Sequence, residues 1–123
     1  MAYAIAGATP ARVPSGALKR TLAQGLAALP GPGGERSVAV LEHSTLQLKV
    51  YAPRGTDPQQ PHTRDELYVV ARGSGEFVSA EERIPFVTGD VLFIAAGKSH
   101  RFENFSDDFA VWVVFYGAEG GER

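Results

Sequence analysis

The sequence predicts an all-β fold, a sandwich or barrel preceded by one short helix. Three observations carry that reading. Strand-like runs of five to eight residues recur from Ser37 to Tyr116, with turn residues between them. Leu46, Leu48 and Val50 alternate with Gln47, Lys49 and Tyr51, the period-two pattern of a half-buried strand. A Pro30-Gly-Pro-Gly-Gly break separates all of this from a leucine-rich segment with helical spacing.

Taken in order, residues 1–14 are small and apolar, contain Pro10 and Pro14, and suit an extended arm. Ser15 is placed to cap a helix running to about Leu29, because Leu18, Leu22, Leu26 and Leu29 fall on one helical face. The arm and helix together form an expected N-terminal unit, 1–34. Strands are then expected over Ser37–Glu42 and Thr45–Ala52, joined by a turn at His43-Ser44. A loop follows over Pro53–Pro61. Further strands are expected over Glu66–Ala71, Gly75–Ala80, Arg83–Val87, Val91–Ala95 and Ser99–Phe105. Asp107-Asp108 turns the chain into Phe109–Tyr116, the most hydrophobic run. The barrel is therefore expected over 35–116, with a flexible tail over 117–123 that frays.

Composition narrows the function. At 123 residues, with 44% hydrophobic and 10% aromatic content, the chain can build one core without disulfides. Twelve basic and 14 acidic residues are spread along it, and no basic stretch is interleaved with aromatics. Nucleic acid is thus not an expected partner, nor is an anionic membrane. No segment approaches the roughly 20 apolar residues that span a bilayer. The first residues carry no basic group before a short apolar stretch, unlike a signal peptide, so a cytoplasmic protein is expected. There is no cysteine, which leaves His, Asp and Glu as the strong metal ligands available.

Two clusters concentrate those residues. One reads Gln60-Pro-His62-Thr-Arg-Asp-Glu66, with Gly73 beyond it. The other opens at Gly89 and runs through Ala95-Ala-Gly97-Lys-Ser-His100 to Asn104. Gln60, His62 and Glu66 share even parity, so an extended backbone turns them to one face. Two imidazoles and a carboxylate converging inside a barrel leave coordination positions open. Such a set suits Fe(II), Mn(II) and related divalent ions.

The spacing of these residues resembles the two signature motifs of the cupin superfamily. His62, Glu66 and Gly73 fall on the second His, the Glu and the Gly of the first motif. Gly89, Gly97, His100 and Asn104 fall in register with the second. The resemblance covers about residues 37–116 and implies a cupin-type jelly-roll β-barrel. It also implies that His62, Glu66 and His100 are metal ligands, for iron, manganese, nickel or zinc. Three positions depart from the pattern: Gln60 stands where the first His is expected, Ala95 replaces the motif proline, and Gly55 lies one residue too near. A Gln carbonyl is a weaker donor than imidazole, so Gln60 either coordinates weakly, holds a water, or lines an empty pocket.

The remaining candidates have plainer readings beside them. His43 sits in a turn, where exposure is expected. Asn104 is placed to cap or brace a strand. Tyr68, Phe93 and Phe102 are candidates for the pocket wall, with Tyr68 and Phe102 sharing the parity of Glu66 and His100; Trp112 is assigned to ordinary core. The resemblance implies a homodimer, since open sheet edges need cover. Dioxygenase, isomerase and cyclase chemistries on a small polar organic substrate all remain open, as does a non-catalytic small-molecule binding module with a degenerate or empty metal site.

Overall fold

The computed structural model describes residues 16–122. Residues 1–15, which include the expected arm and the Ser15 cap, lie outside the described residues. One helix, α1 (Leu22–Ala27), precedes eight strands. These are β1 (Ser37–His43), β2 (Leu46–Tyr51), β3 (Asp65–Arg72), β4 (Ser74–Ser79), β5 (Glu82–Val87), β6 (Val91–Ile94), β7 (Arg101–Glu103) and β8 (Ala110–Tyr116).

The helix is shorter than its leucine spacing predicts. Thr21 takes the N-cap: its side chain accepts from the Gln24 N–H, and the Gln24 side chain accepts from the Thr21 N–H. This reciprocal pair fixes the start six residues after Ser15. Upstream, Gly16 has φ +100°, outside helical geometry, and the Arg20 guanidinium donates to the Val40 carbonyl of β1 at 2.7 Å. The helix lies close on the sheet because residue 25 is glycine. A Cβ there would stand 2.4 Å from a Val50 methyl carbon.

Antiparallel pairing makes a five-stranded sheet, β1-β2-β8-β3-β6, facing a three-stranded sheet, β5-β4-β7. The register sorts the side chains. Lys49 pairs with Val113, and Val113 with Tyr68, while Phe115 pairs with Glu66. These residues share the inner face. Val50 pairs with Trp112 on the outer face, where Leu22, Leu26 and Leu29 pack against Val38, Val40, Val50, Leu48 and Trp112. Trp112 is core, as expected, but in this second, outer cluster.

The main core fills the space between the sheets: Tyr68, Val70, Phe77, Phe86, Leu92, Phe102, Phe109 and Val111. Its aromatic rings interlock. Phe102 lies 4.8–5.6 Å, centroid to centroid, from Tyr68, Phe77, Phe86 and Phe109. The tail does not hang free: Gly117 N–H donates to Thr45 Oγ1, Gly120 N–H to the Thr63 carbonyl, and Glu122 N–H to Asp65 Oδ2.

Candidate metal centre

Two sequence-distant segments meet at one end of the barrel because their backbones are clasped. The Gly97 N–H donates to the His62 carbonyl at 2.7 Å, and the Ala96 N–H donates to Asp65 Oδ1 at 3.0 Å. Gly97 has φ +79°, which lets the chain turn there and deliver His100 to the same interior.

His62, Glu66 and His100 come together, with one ligand atom of each within 4.8 Å of the others. Glu66 Oε1 is the hinge of the cluster, 3.0 Å from His62 Nδ1 and 3.2 Å from His100 Nε2. The Glu66 and His100 side chains are 2% and 1% exposed, whereas His62 is 35% exposed and opens the cluster to the cavity. Phe115 braces the His62 ring edge-on at 4.9 Å.

Hydrogen-bond direction fixes what His100 Nε2 faces. Asp57 can only accept as a carboxylate, so Gln59 offers it Nε2–H at 2.5 Å. Gln59 Oε1 is then turned to Tyr68, whose hydroxyl donates to it at 3.0 Å. At the other end, His100 Nδ1 donates to the Lys98 carbonyl at 2.8 Å. His100 Nε2 is left facing the Tyr68 oxygen at 3.1 Å and Glu66 Oε1 at 3.2 Å. A neutral imidazole would point a lone pair at oxygen lone pairs. A second ring proton or a metal ion at Nε2 relieves that opposition and leaves the Tyr68 proton to Gln59.

The titration behaviour follows. Burial pushes the Glu66 carboxyl upward, but hydrogen bonds from His100 and His62 outweigh it and bring it to about 2. Burial likewise pulls His100 down, while Glu66 and the Lys98 carbonyl raise it by more. Burial pushes the Tyr68 hydroxyl well above its usual range, so it remains protonated and serves as a donor.

A cavity of about 480 Å³ opens over the cluster. His62, Glu66, Val113, Phe115, Lys49, Tyr51 and Gln59 contribute to its wall. Three expected residues are elsewhere: Gln60, Phe93 and Phe102. Gln60 is exposed and outside the wall; its neighbour Gln59 turns inward instead. The parity argument assumed an extended strand through residue 60, but β3 begins only at Asp65, and Pro58 and Pro61 impose a different winding on the approach. Phe93 is 53% exposed, paired with Leu67 on the outer face of β6. Tyr68 reaches the cluster through its hydroxyl, and Phe102 sits behind Tyr68 in the core, outside the cavity wall. His43 is exposed at the end of β1, and the Asn104 side chain braces Glu76 of β4 at 2.6 Å.

Sequence reasoning missed Lys49, Tyr51, Asp57 and Gln59. Lys49 and Tyr51 stand on the alternate face of β2, which period-two alternation alone does not place inside or outside the barrel. It is the barrel interior, because α1 covers the other side. Tyr51 donates to Asp57, which also accepts from the Phe102 N–H at 2.7 Å, tying the loop before His62 to β7.

Comparison with known proteins agrees with this fold. The family described as Cupin domain matches residues 47–116. An uncharacterized protein of Streptomyces coelicolor is 38% identical over 60 residues, covering 49% of this chain and 57% of that relative's length. A Cupin 2 conserved barrel domain protein of Salinispora arenicola superposes with a TM-score of 0.56 at 25% identity, covering 67% of this chain and 75% of that one. A cupin superfamily protein of Desulfitobacterium hafniense gives 0.57 at 19% identity, covering 67% and 76%.

Proposed function

The chain belongs to the cupin domain family, and from that premise we propose that it binds one divalent transition-metal ion through His62, Glu66 and His100 and uses it on a small polar organic molecule. The observation that carries this reading is the convergence of His62, Glu66 and His100, which bring one ligand atom each within 4.8 Å of the others at the cavity. Two imidazoles and one carboxylate are a donor set that iron, manganese, nickel and zinc all accept. The bound ion would supply Lewis acidity or an open position for substrate or dioxygen.

The chain's own residues do the rest. The Lys98 carbonyl fixes the His100 tautomer, so the ring presents Nε2 to the cluster. Tyr68 and Gln59 hold that ring from behind through a chain ending on Asp57. The aromatic core closes the barrel below, and His62 is the exposed member of the cluster on the cavity side. Val113 and Phe115 give it an apolar wall.

Titrating metal-free protein with Mn(II), Fe(II), Ni(II) and Zn(II) tests the proposal. One equivalent should bind to the wild type, and His62→Ala and Glu66→Gln should lose it while still folding. Saturation at zero equivalents with all four ions would overturn the metal reading and leave a small-molecule binding module. Turnover that appears only with added ion would separate an enzyme from such a module.

A further inference from the structure

We propose that Lys49 is the anchor for an acidic group, and that the molecule held in this cavity is a small organic carboxylate. The proposal rests on the metal-site reading for the ligand's other end and names the class of molecule that site takes.

Lys49 projects from β2 into the same cavity wall as His62 and Glu66. Its register row runs Lys49, Val113, Tyr68, next to the row that holds Phe115 and Glu66. Two strand spacings put its backbone about 10 Å across the sheet from β3. It is anchored two strands away from Glu66 on the same inner face, and the two side chains reach the cavity from different strands. Among the described residues Lys49 has no hydrogen bond and no ion pair.

The other charged groups on the wall are occupied. Glu66 Oε1 serves both histidines. The Glu35 carboxylate accepts from the Gly33 N–H at 2.9 Å. Arg54 donates to the carbonyls of Ala52 and Pro53, and Arg36 to that of Ala52. Asp57, directly behind the wall, is likewise held by Tyr51 and Gln59. A partly buried ammonium without a partner is costly to the free protein. Burial accordingly lowers the Lys49 pKa, with Glu66 acting the other way. An anion entering the cavity supplies the missing partner, and Val113 and Phe115 fit a short hydrocarbon stem between its two ends.

Succinate is a suitable probe because its two carboxylates can reach both ends; succinamide is its uncharged counterpart. Manganese is titrated first into wild type, Lys49→Met and Lys49→Arg. Lys49→Met should bind it as tightly as wild type or tighter, since a nearby positive charge is gone. Succinate is then titrated into each protein, in carboxylate-free buffer. Lys49→Met should weaken succinate by about tenfold or more, and Lys49→Arg should stay within about threefold of wild type. Succinamide should bind weakly and alike to all three. The thermal midpoint of ligand-free Lys49→Met should rise, which a merely structural lysine would not give. Equal succinate affinity in wild type and Lys49→Met would overturn the proposal. If manganese fails to bind the wild type, the metal reading falls alone, and the same titration on metal-free protein still decides the role of Lys49.

Discussion

The two ends of the barrel interior share one inward register and are filled in opposite ways. At the closed end, Phe77, Phe86, Phe102 and Phe109 interlock with almost no exposure. At the open end, the same inner face of β2, β8 and β3 presents Lys49, Phe115 and Glu66 around a cavity. Tyr68 stands at the boundary, with its ring against Phe77 and Phe102 and its hydroxyl on His100 and Gln59. The difference teaches how a small domain can tolerate buried charge. Apolar packing at one end carries the stability, so the other end can hold an arrangement that is unfavourable until a ligand completes it.

The largest effect should come from breaking the closed end. Phe102→Ala removes a ring that touches four aromatic neighbours and should cost about 3–5 kcal/mol. Chemical denaturation would show it as a lower midpoint with an unchanged slope. At the open end, Glu66→Gln should weaken metal binding at least about 100-fold, because a neutral amide replaces the carboxylate shared by both histidines. Added Mn(II) should raise the thermal midpoint of Phe102→Ala but not that of Glu66→Gln, and calorimetry on the two variants would check the contrast.

Proton linkage should separate the two ends further. In metal-free protein, Glu66 is held at about 2 against an ordinary 4.5. Its contribution to stability is therefore present above about pH 4.5 and lost as pH falls toward 2. His100 is raised above 6.5, so its contribution is complete below that pH and fades as pH climbs through the raised value. Metal affinity should run the other way, increasing with pH as His100 gives up its extra proton. Glu66→Gln should flatten the acid limb of the stability profile, whereas a closed-end variant should lower the whole profile without changing its shape. The smallest effect is expected on the outer sheet face, where Phe93→Ser should stay within about 0.5 kcal/mol in a denaturant titration.

Much of this was legible in the sequence, and the limits have physical causes. The strands were readable because turn residues and period-two alternation mark them, and His62, Glu66 and His100 were readable because their spacing follows a motif. Helix length was not, because four leucines on one face describe a surface, while the Thr21–Gln24 box decides where the helix begins. Gln59 was missed in favour of Gln60 because strand parity does not extend through a loop that contains Pro58 and Pro61. Phe93 was misplaced and Lys49 overlooked for one reason. Alternation reveals two faces of a strand, but only the tertiary pairing shows which face is the barrel interior.

The most direct test of the account is anomalous scattering from crystals of the wild-type protein soaked in Mn(II) or Zn(II). The account predicts a single strong peak bonded to His62, Glu66 and His100, absent from Glu66→Gln crystals treated the same way. No peak among these three residues, or one held by other side chains, would contradict it.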